Sequence, residues 1–290
     1  MKRLIIISLM ILLVMFAVSC SKKEKIQSIK IAYGNNCYDI AVANLIQTIV
    51  SSQTDLDVEL VGVHEDDIAK SLADGRADIS FSLWFPHTSA EQFEAYKDSL
   101  EFLSEYFDEI KIGLAAPAFM DVNSIDQLKS KSIEGEKIIA VFDTSCVLTK
   151  SVYDCIDKYS LTDFKVKIFE TESEMLTYVN EKIQKNEPVL FTSYFPHWLP
   201  SIMKVNFLTD NLKVFGENEK ATIYTRKGFS KDLKQISAFL KQVKLTTTDI
   251  TEMMRENEKA DADSKEIANQ WINDNVDRIN LWINKANESQ

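Results

Sequence analysis

From Ser28 onward, short apolar runs with a two-residue period alternate with longer stretches whose apolar positions recur every three or four residues. The first pattern predicts strands and the second helices, and their alternation predicts an α/β fold with largely parallel sheets. Strands are predicted at 28–33, 58–63, 77–84, 110–115, 137–142, 164–168, 188–194 and 221–226. Asp39 is placed to cap a helix carrying Ile40, Ala43, Leu45, Ile46 and Ile49, and another helix passes through Ile68 and Leu72 to Gly75. An acidic helix is expected over 89–104, and a short one capped by Ser124. Leu148, Val152, Cys155, Ile156 and Tyr159 mark the next, and Thr171 with Glu174 forms a capping box for a helix through Met175, Leu176, Val179 and Ile183. Residues 230–288 read as almost wholly helical, with Trp271 and Trp282 in its core.

Two of the strands end alike. FSLWFPHT at 81–88 and FTSYFPHW at 191–198 each run into an aromatic residue, Trp84 or Tyr194, followed by Phe-Pro-His. They hold two of the chain's three histidines, His87 and His197. Open α/β sheets hold ligands at the C-terminal ends of their parallel strands. The repetition therefore points to two related halves presenting aromatic faces across one cleft. Such faces suit a cation that cannot donate hydrogen bonds, because the ring quadrupole gains about 2 kcal/mol from a desolvated charge. Each histidine is placed to donate to an anionic end of the same ligand. Ser145 and Cys146, where a predicted strand meets a helix, offer N-terminal amides to a carboxylate. Tyr38, in the first loop, is a candidate third ring. Taken singly, each aromatic reads as core and each histidine as a backbone cap; the repetition favours a site.

A chain of 290 residues with 45% apolar content is long enough for two compact units. Its first residues stand apart. Lys2 and Arg3 precede an apolar run, Leu4 to Val18, too short to span a bilayer comfortably, and Ala17-Val18-Ser19-Cys20 follows. This is a secretory signal over 1–19 whose end resembles a bacterial lipobox, which implies acylation of Cys20 and a solvated tether over 20–27. Removing Lys2 and Arg3 from the 33 basic residues leaves 31 against 44 acidic ones, a net charge of −13. Such a surface repels nucleic acid. Cys146 and Cys155 lie about 13 Å apart along one predicted helix, too far to bridge. Cys37 with Cys146 is the one pairing left open, so no disulfide framework is expected.

Four stretches carry a wider likeness. ADISFSLWFPHT, KIGLAAPAFM before NSIDQL, EPVLFTSYFPHWLP and IANQWINDNVDRINLWI occur in this order across residues 28–284. Together they resemble the glycine betaine and choline class of ABC-transporter substrate-binding proteins. The resemblance implies a two-lobed periplasmic-binding-protein fold, type II-like, with two mixed sheets flanked by helices. Strands leaving near Ala115 and returning near Ala221 would make a two-stranded hinge between lobes 28–115 plus 222–290 and 116–221. It further implies an extracytoplasmic receptor, lipid-anchored in the cell envelope on the outer face of the cytoplasmic membrane or in the periplasm. A monomer would deliver a small zwitterionic or cationic solute, a quaternary ammonium compound, to the transmembrane subunit of an ABC permease, without catalysis, cofactor or metal. The family's Gly-Trp-x-Pro-His-Trp motif falls on Ser193, Tyr194, Pro196, His197 and Trp198, and its strand-end tryptophan on Trp84. Tyr194 stands where the family has Trp, and Thr144 to Val147 where it has a Gly-rich turn.

Three other classes remain open. Cys146 with His197 could act as a hydrolase, since a helix N-terminus lowers a thiol pKa, but no orienting acid is identifiable. His64, His87 and His197 could bind metal, though without ligand-like spacing. A sensory or adhesive lipoprotein could use the same fold.

Overall fold

The computed structural model describes residues 28–144 and 147–288. The expected signal segment, Cys20, Ser145 and Cys146 lie outside them. Strands β1 (Ser28–Tyr33), β2 (Asp57–Gly62) and β3 (Ile79–Phe85) alternate with helices α1 (Cys37–Gln53) and α2 (Ile68–Ala73). A short α3 (Ala90–Glu94) leads into β4 (Leu100–Pro117), and α4 (Gln127–Ser130) into β5 (Ile138–Phe142). Then come α5 (Val147–Lys158), β6 (Lys165–Phe169), α6 (Glu172–Gln184), β7 (Leu190–Phe195), β8 (Val205–Phe207) and β9 (Glu219–Arg226). The chain closes with α7 (Phe229–Asp232), α8 (Lys234–Leu240), α9 (Thr247–Asn257), α10 (Ser264–Asp274) and α11 (Val276–Glu288). No helix among the described residues is long and apolar enough to cross a membrane.

The strands lie in the order β2-β1-β3-β9-β4-β7-β5-β6, with β8 on β4. In the first sheet β1 pairs in parallel with β2 and β3, and in the second β5 pairs in parallel with β6 and β7. Strand β4 joins them: Leu100 to Ile110 pairs antiparallel with β9, and Lys111 to Pro117 with β7 and β8. The result is the expected two-lobed arrangement of mixed sheets.

The acidic helix expected over 89–104 is only Ala90–Glu94, because β4 begins at Leu100. Three register shifts against β9 explain the misreading. Each bulge breaks the two-residue period that identifies a strand, and the intervening Glu101, Glu105, Asp108 and Glu109 resemble a solvated helix face. The cap of α1 also differs. Asn36 accepts from the backbone N–H of Asp39 at 2.8 Å, so Asp39 lies inside the first turn rather than before it. At α6, Thr171 caps as expected, accepting from the Glu174 N–H at 3.2 Å, but the Glu174 carboxylate turns to the Glu170 N–H and the box is half complete.

Helix α1 is apolar on most sides because it lies between the first sheet and the C-terminal helices α9 and α10. Trp271 and Trp282 stack 6.3 Å apart in that layer, with the Trp271 indole donating to Asp249. Both are core, as expected.

Candidate functional site

Strands β3 and β7 each leave their sheet through a Phe-Pro peptide bond, and both bonds are cis. These exits bring Trp84 and Tyr194 together from the two sheets, ring centroids 5.6 Å apart and inclined at 60°. Tyr38, at the start of α1, meets the other side of Trp84 edge-on at 5.1 Å. Beside the Trp84–Tyr194 contact lies a cavity of about 30 Å³, lined by Asn36, Asp39, Glu65 and Trp84 on one side and Phe142 and Tyr194 on the other. Larger hollows adjoin or lie apart from it: one of about 510 Å³ along β7 and β8 that Tyr194 and His197 also line, one of about 380 Å³ between His64 and Glu65 on one side and Phe142, Phe169 and Glu172 on the other, and one of about 740 Å³ between α9 and α10. None of the three is lined by both Trp84 and Tyr194.

Behind Tyr194 the second turn builds a buried polar cluster. The backbone N–H of Leu199 donates to His197 Nδ1 at 3.0 Å. The imidazole hydrogen therefore sits on Nε2, which donates to Glu172 Oε1 at 3.3 Å. Glu172 Oε2 accepts from the Tyr194 hydroxyl at 3.3 Å and, across the cleft, from the Cys37 backbone N–H at 3.1 Å. Burial opposes ionisation of Glu172, but the hydrogen bond from His197 and the Cys37 amide outweigh it and hold the carboxyl below its ordinary range. Burial, reinforced by the Glu172 charge, pushes the Cys37 thiol well up. It stays protonated, 3.1 Å from the Tyr194 oxygen, and it is a free thiol rather than half of a disulfide.

Cys37, Glu172 and His197 place one sulfur, one oxygen and one nitrogen within 4.8 Å of one another. The donor types suit a metal ion, but the protonation pattern does not. His197 has spent Nδ1 on a backbone amide and Nε2–H on Glu172, and the thiol carries its proton, so ligation would break every one of these bonds. The three histidines do not converge either. His64 Nε2 meets Asp143 Oδ2 at 2.7 Å across the cleft mouth, and the His87 ring is exposed against Gly216.

On the first-sheet side, Asp39 Oδ2 accepts from the Gly34 N–H at 3.3 Å and from Asn36 Nδ2 at 3.1 Å. Burial first, and then the Glu65 charge, raise its carboxyl to about 7.

Of the residues singled out from sequence, Trp84, Tyr194, Tyr38 and His197 come together, and Trp198 tilts on His197 at 5.5 Å rather than lining the cavity. His87 lies apart from them: its ring leaves the cavity, and its backbone N–H donates to buried Glu219 at 3.0 Å. Sequence reasoning missed Glu172, Glu219 and Cys37 as members of these clusters, and took Asp39 for a cap. The half-formed capping signal at Thr171 marked the helix start next to Glu172, but nothing in spacing marks which acidic side chain turns inward.

Comparison with known proteins follows the same lines. A family profile described as the substrate-binding domain of ABC-type glycine betaine transport systems matches residues 27–274. The glycine betaine/carnitine transport binding protein of Listeria monocytogenes is 27% identical over 152 residues, 51% of this chain. The chain spans about half the length of that curated relative, 50%. Among solved structures, lactococcal OpuAC in a closed conformation with glycine betaine superposes with a TM-score of 0.80 at 23% identity, covering 89% of this chain and 99% of its own. A choline binding protein in complex with choline gives 0.81 at 18% identity, covering 91% and 93%. The glycine betaine/L-proline-binding protein of Borrelia burgdorferi gives 0.80 at 22% identity, covering 88% and 96%. At these identities the structural likeness is one of fold. The profile match over most of the chain goes further, and the protein belongs to the family of substrate-binding domains of ABC-type glycine betaine transport systems.

Proposed function

We propose that the protein is an extracytoplasmic solute receptor that encloses a quaternary ammonium compound, such as glycine betaine or choline, between Trp84 and Tyr194 and delivers it to an ABC permease. The observation that carries this reading is the meeting of those two rings, one from each sheet, beside a cavity that both line. Tyr38 backs Trp84 as a third ring, and His197 and Trp198 position Tyr194 from behind. The lobes meet where β4 passes from the first sheet to the second between Ile110 and Lys111 and where β9 re-enters the first at Glu219, a few residues from the boundaries at 115 and 221 expected from sequence. Closure uses the differential affinity of the two states and requires no bond-making chemistry.

A cavity of about 30 Å³ holds no more than a water-sized group, so a trimethylammonium group enters only when Trp84 and Tyr194 part. Separating such an edge-on pair loses about 0.5–1.5 kcal/mol. A desolvated cation between them gains about 2 kcal/mol per ring face. The loaded cage is therefore favoured over the collapsed one. A hydrolytic role for Cys146 with His197 lacks a base, since both imidazole nitrogens are committed. The lipid anchor at Cys20 belongs to the same proposal, and a Cys20→Ser chain is expected to lose membrane association.

Calorimetric titration of the mature domain with glycine betaine, choline, carnitine and proline betaine tests the reading. Binding of at least one, with a change in tryptophan fluorescence, is expected. Absence of heat and of fluorescence change with all four would overturn it.

A further inference from the structure

The cavity wall is one-sided in charge. Asp39, Glu65 and Asp66 line it, and among the described residues no Lys or Arg does. Asp39 is only 3% exposed; its Oδ2 accepts two hydrogen bonds, while its Oδ1 has no partner in good hydrogen-bond geometry and only the Ser82 hydroxyl nearby to support it. A buried carboxylate oxygen without a well-placed donor carries a desolvation cost that a cation at that place would offset.

On the far side of Tyr194, the donors suited to a ligand carboxylate are already in use. His197 Nε2–H, the Tyr194 hydroxyl and the Cys37 backbone N–H all converge on Glu172. The chain thus fills that place with a carboxylate of its own. A zwitterion's carboxylate brought beside it would find these donors occupied and would meet the Glu172 charge, and like charges repel more strongly in a dry cleft than in water.

We propose that the pocket selects organic cations that carry no carboxylate, choline-like rather than betaine-like, with Oδ1 of Asp39 as counter-ion and Glu172 as the excluding charge. This rests on the receptor reading above and narrows it. The two aspects come from opposite lobes: Asp39 rewards positive charge from the first sheet's side, and Glu172 rejects negative charge from the second. The raised carboxyl of Asp39 is in keeping with a counter-ion poised for a missing partner.

Choline and glycine betaine share a trimethylammonium head and differ in carrying a hydroxyl or a carboxylate, so they form the discriminating pair. Titration of the mature domain at pH 8 is expected to give a Kd for choline lower than that for glycine betaine by on the order of a hundredfold, with tetramethylammonium also ahead of glycine betaine. Glycine betaine binding as tightly as choline, or more tightly, would overturn the selectivity and leave the receptor reading standing. Failure of all three, together with carnitine and proline betaine, would overturn both. Asp39→Asn is expected to weaken choline about tenfold while leaving glycine betaine unchanged or improved. Because that variant also touches the α1 cap, Glu172→Gln serves as the second arm: it keeps an acceptor for His197 but removes the charge. It is expected to shift the choline-to-betaine ratio at least about fivefold toward betaine. An unchanged ratio in both folded variants would rule out the two carboxylates as its source.

Discussion

The two Phe-Pro-His turns share a sequence and a cis bond but divide their labour. In the first, buried Glu219 accepts from the backbone N–H of His87 and Thr88 at 3.0 and 2.8 Å and from the Thr88 hydroxyl at 2.5 Å, and the His87 ring is left in solvent. In the second, the ring of His197 is itself buried and donates to buried Glu172. Both turns use an inward glutamate. Glu219 starts β9, where the chain re-enters the first sheet opposite Ile110, so the bonds it makes fasten the turn to the crossing between sheets. Glu172 accepts from Tyr194 and His197 on its own side and also from Cys37 across the cleft, and that last bond exists only while the two sides are together. One carboxylate serves the fold alone, and the other serves closure as well.

Removing each glutamate should separate these roles, with the largest effect at the first turn. Glu219→Ala leaves two buried amides and a hydroxyl without an acceptor, and we expect a loss of about 3 kcal/mol in urea-monitored unfolding. Glu172→Ala orphans donors that water reaches once the lobes part. We expect a loss of about 1–2 kcal/mol from closure rather than from unfolding, seen as a larger radius of gyration in solution scattering. Equal losses of unfolding free energy in the two variants would erase the distinction.

The aromatic residues of the two turns should instead behave alike. Trp84→Ala and Tyr194→Ala are each expected to weaken quaternary ammonium binding more than about tenfold with the fold retained, because each removes one face of the cage. Unchanged affinity in both would make the rings core. The dependence on pH belongs to the first-sheet side. Asp39, facing Glu65 and Asp66, is raised from 3.8 to about 7 by burial and then by Glu65. The native state therefore holds a proton that the unfolded chain releases, so Asp39's contribution to stability falls as pH rises from 3.8 to about 7. Choline affinity, which uses the ionised form, should rise about tenfold between pH 6 and 8. A flat profile that Asp39→Asn leaves unaltered would remove Asp39 from the site.

How much of this was legible in the sequence follows the same division. Trp84 and Tyr194 were readable because a strand exit fixes where the preceding ring points, and because the motif occurs twice. The parallel strands β1, β5 and β6 were readable from their apolar runs. The first part of β4 was not, since its bulges reset the period. The inward carboxylates were not readable either. Asp39, whose partners Gly34 and Asn36 are near in sequence, was picked out locally but only as a cap. Glu172 and Glu219 stand among 44 acidic residues, and their partners lie 22 to 135 positions away. Local pattern carries no trace of contacts at that range. The symmetry of the two histidines was an inference from sequence that three-dimensional context divided.

The smallest effects concern His87, and they show what remains of the first turn once its ring is spent on solvent. His87→Ala should change stability by less than about 0.5 kcal/mol and leave solute affinity unaltered, since only its backbone is engaged. Its neighbour Gly216 is a different matter. Gly216 has φ of +84°, and a Cβ built there would lie 2.4 Å from His87 Cδ2. Gly216→Ala therefore combines a left-handed backbone penalty of about 1–2 kcal/mol with a clash against an exposed ring that is free to swing away. Adding His87→Ala to Gly216→Ala removes the clash and keeps the backbone penalty. Recovery of only a few tenths of a kcal/mol in the double variant, about the size of ordinary coupling between neighbours, would show that the turn needs the glycine for its backbone. Full recovery would show that it needs the space for the ring, and His87 would then have a packing role after all.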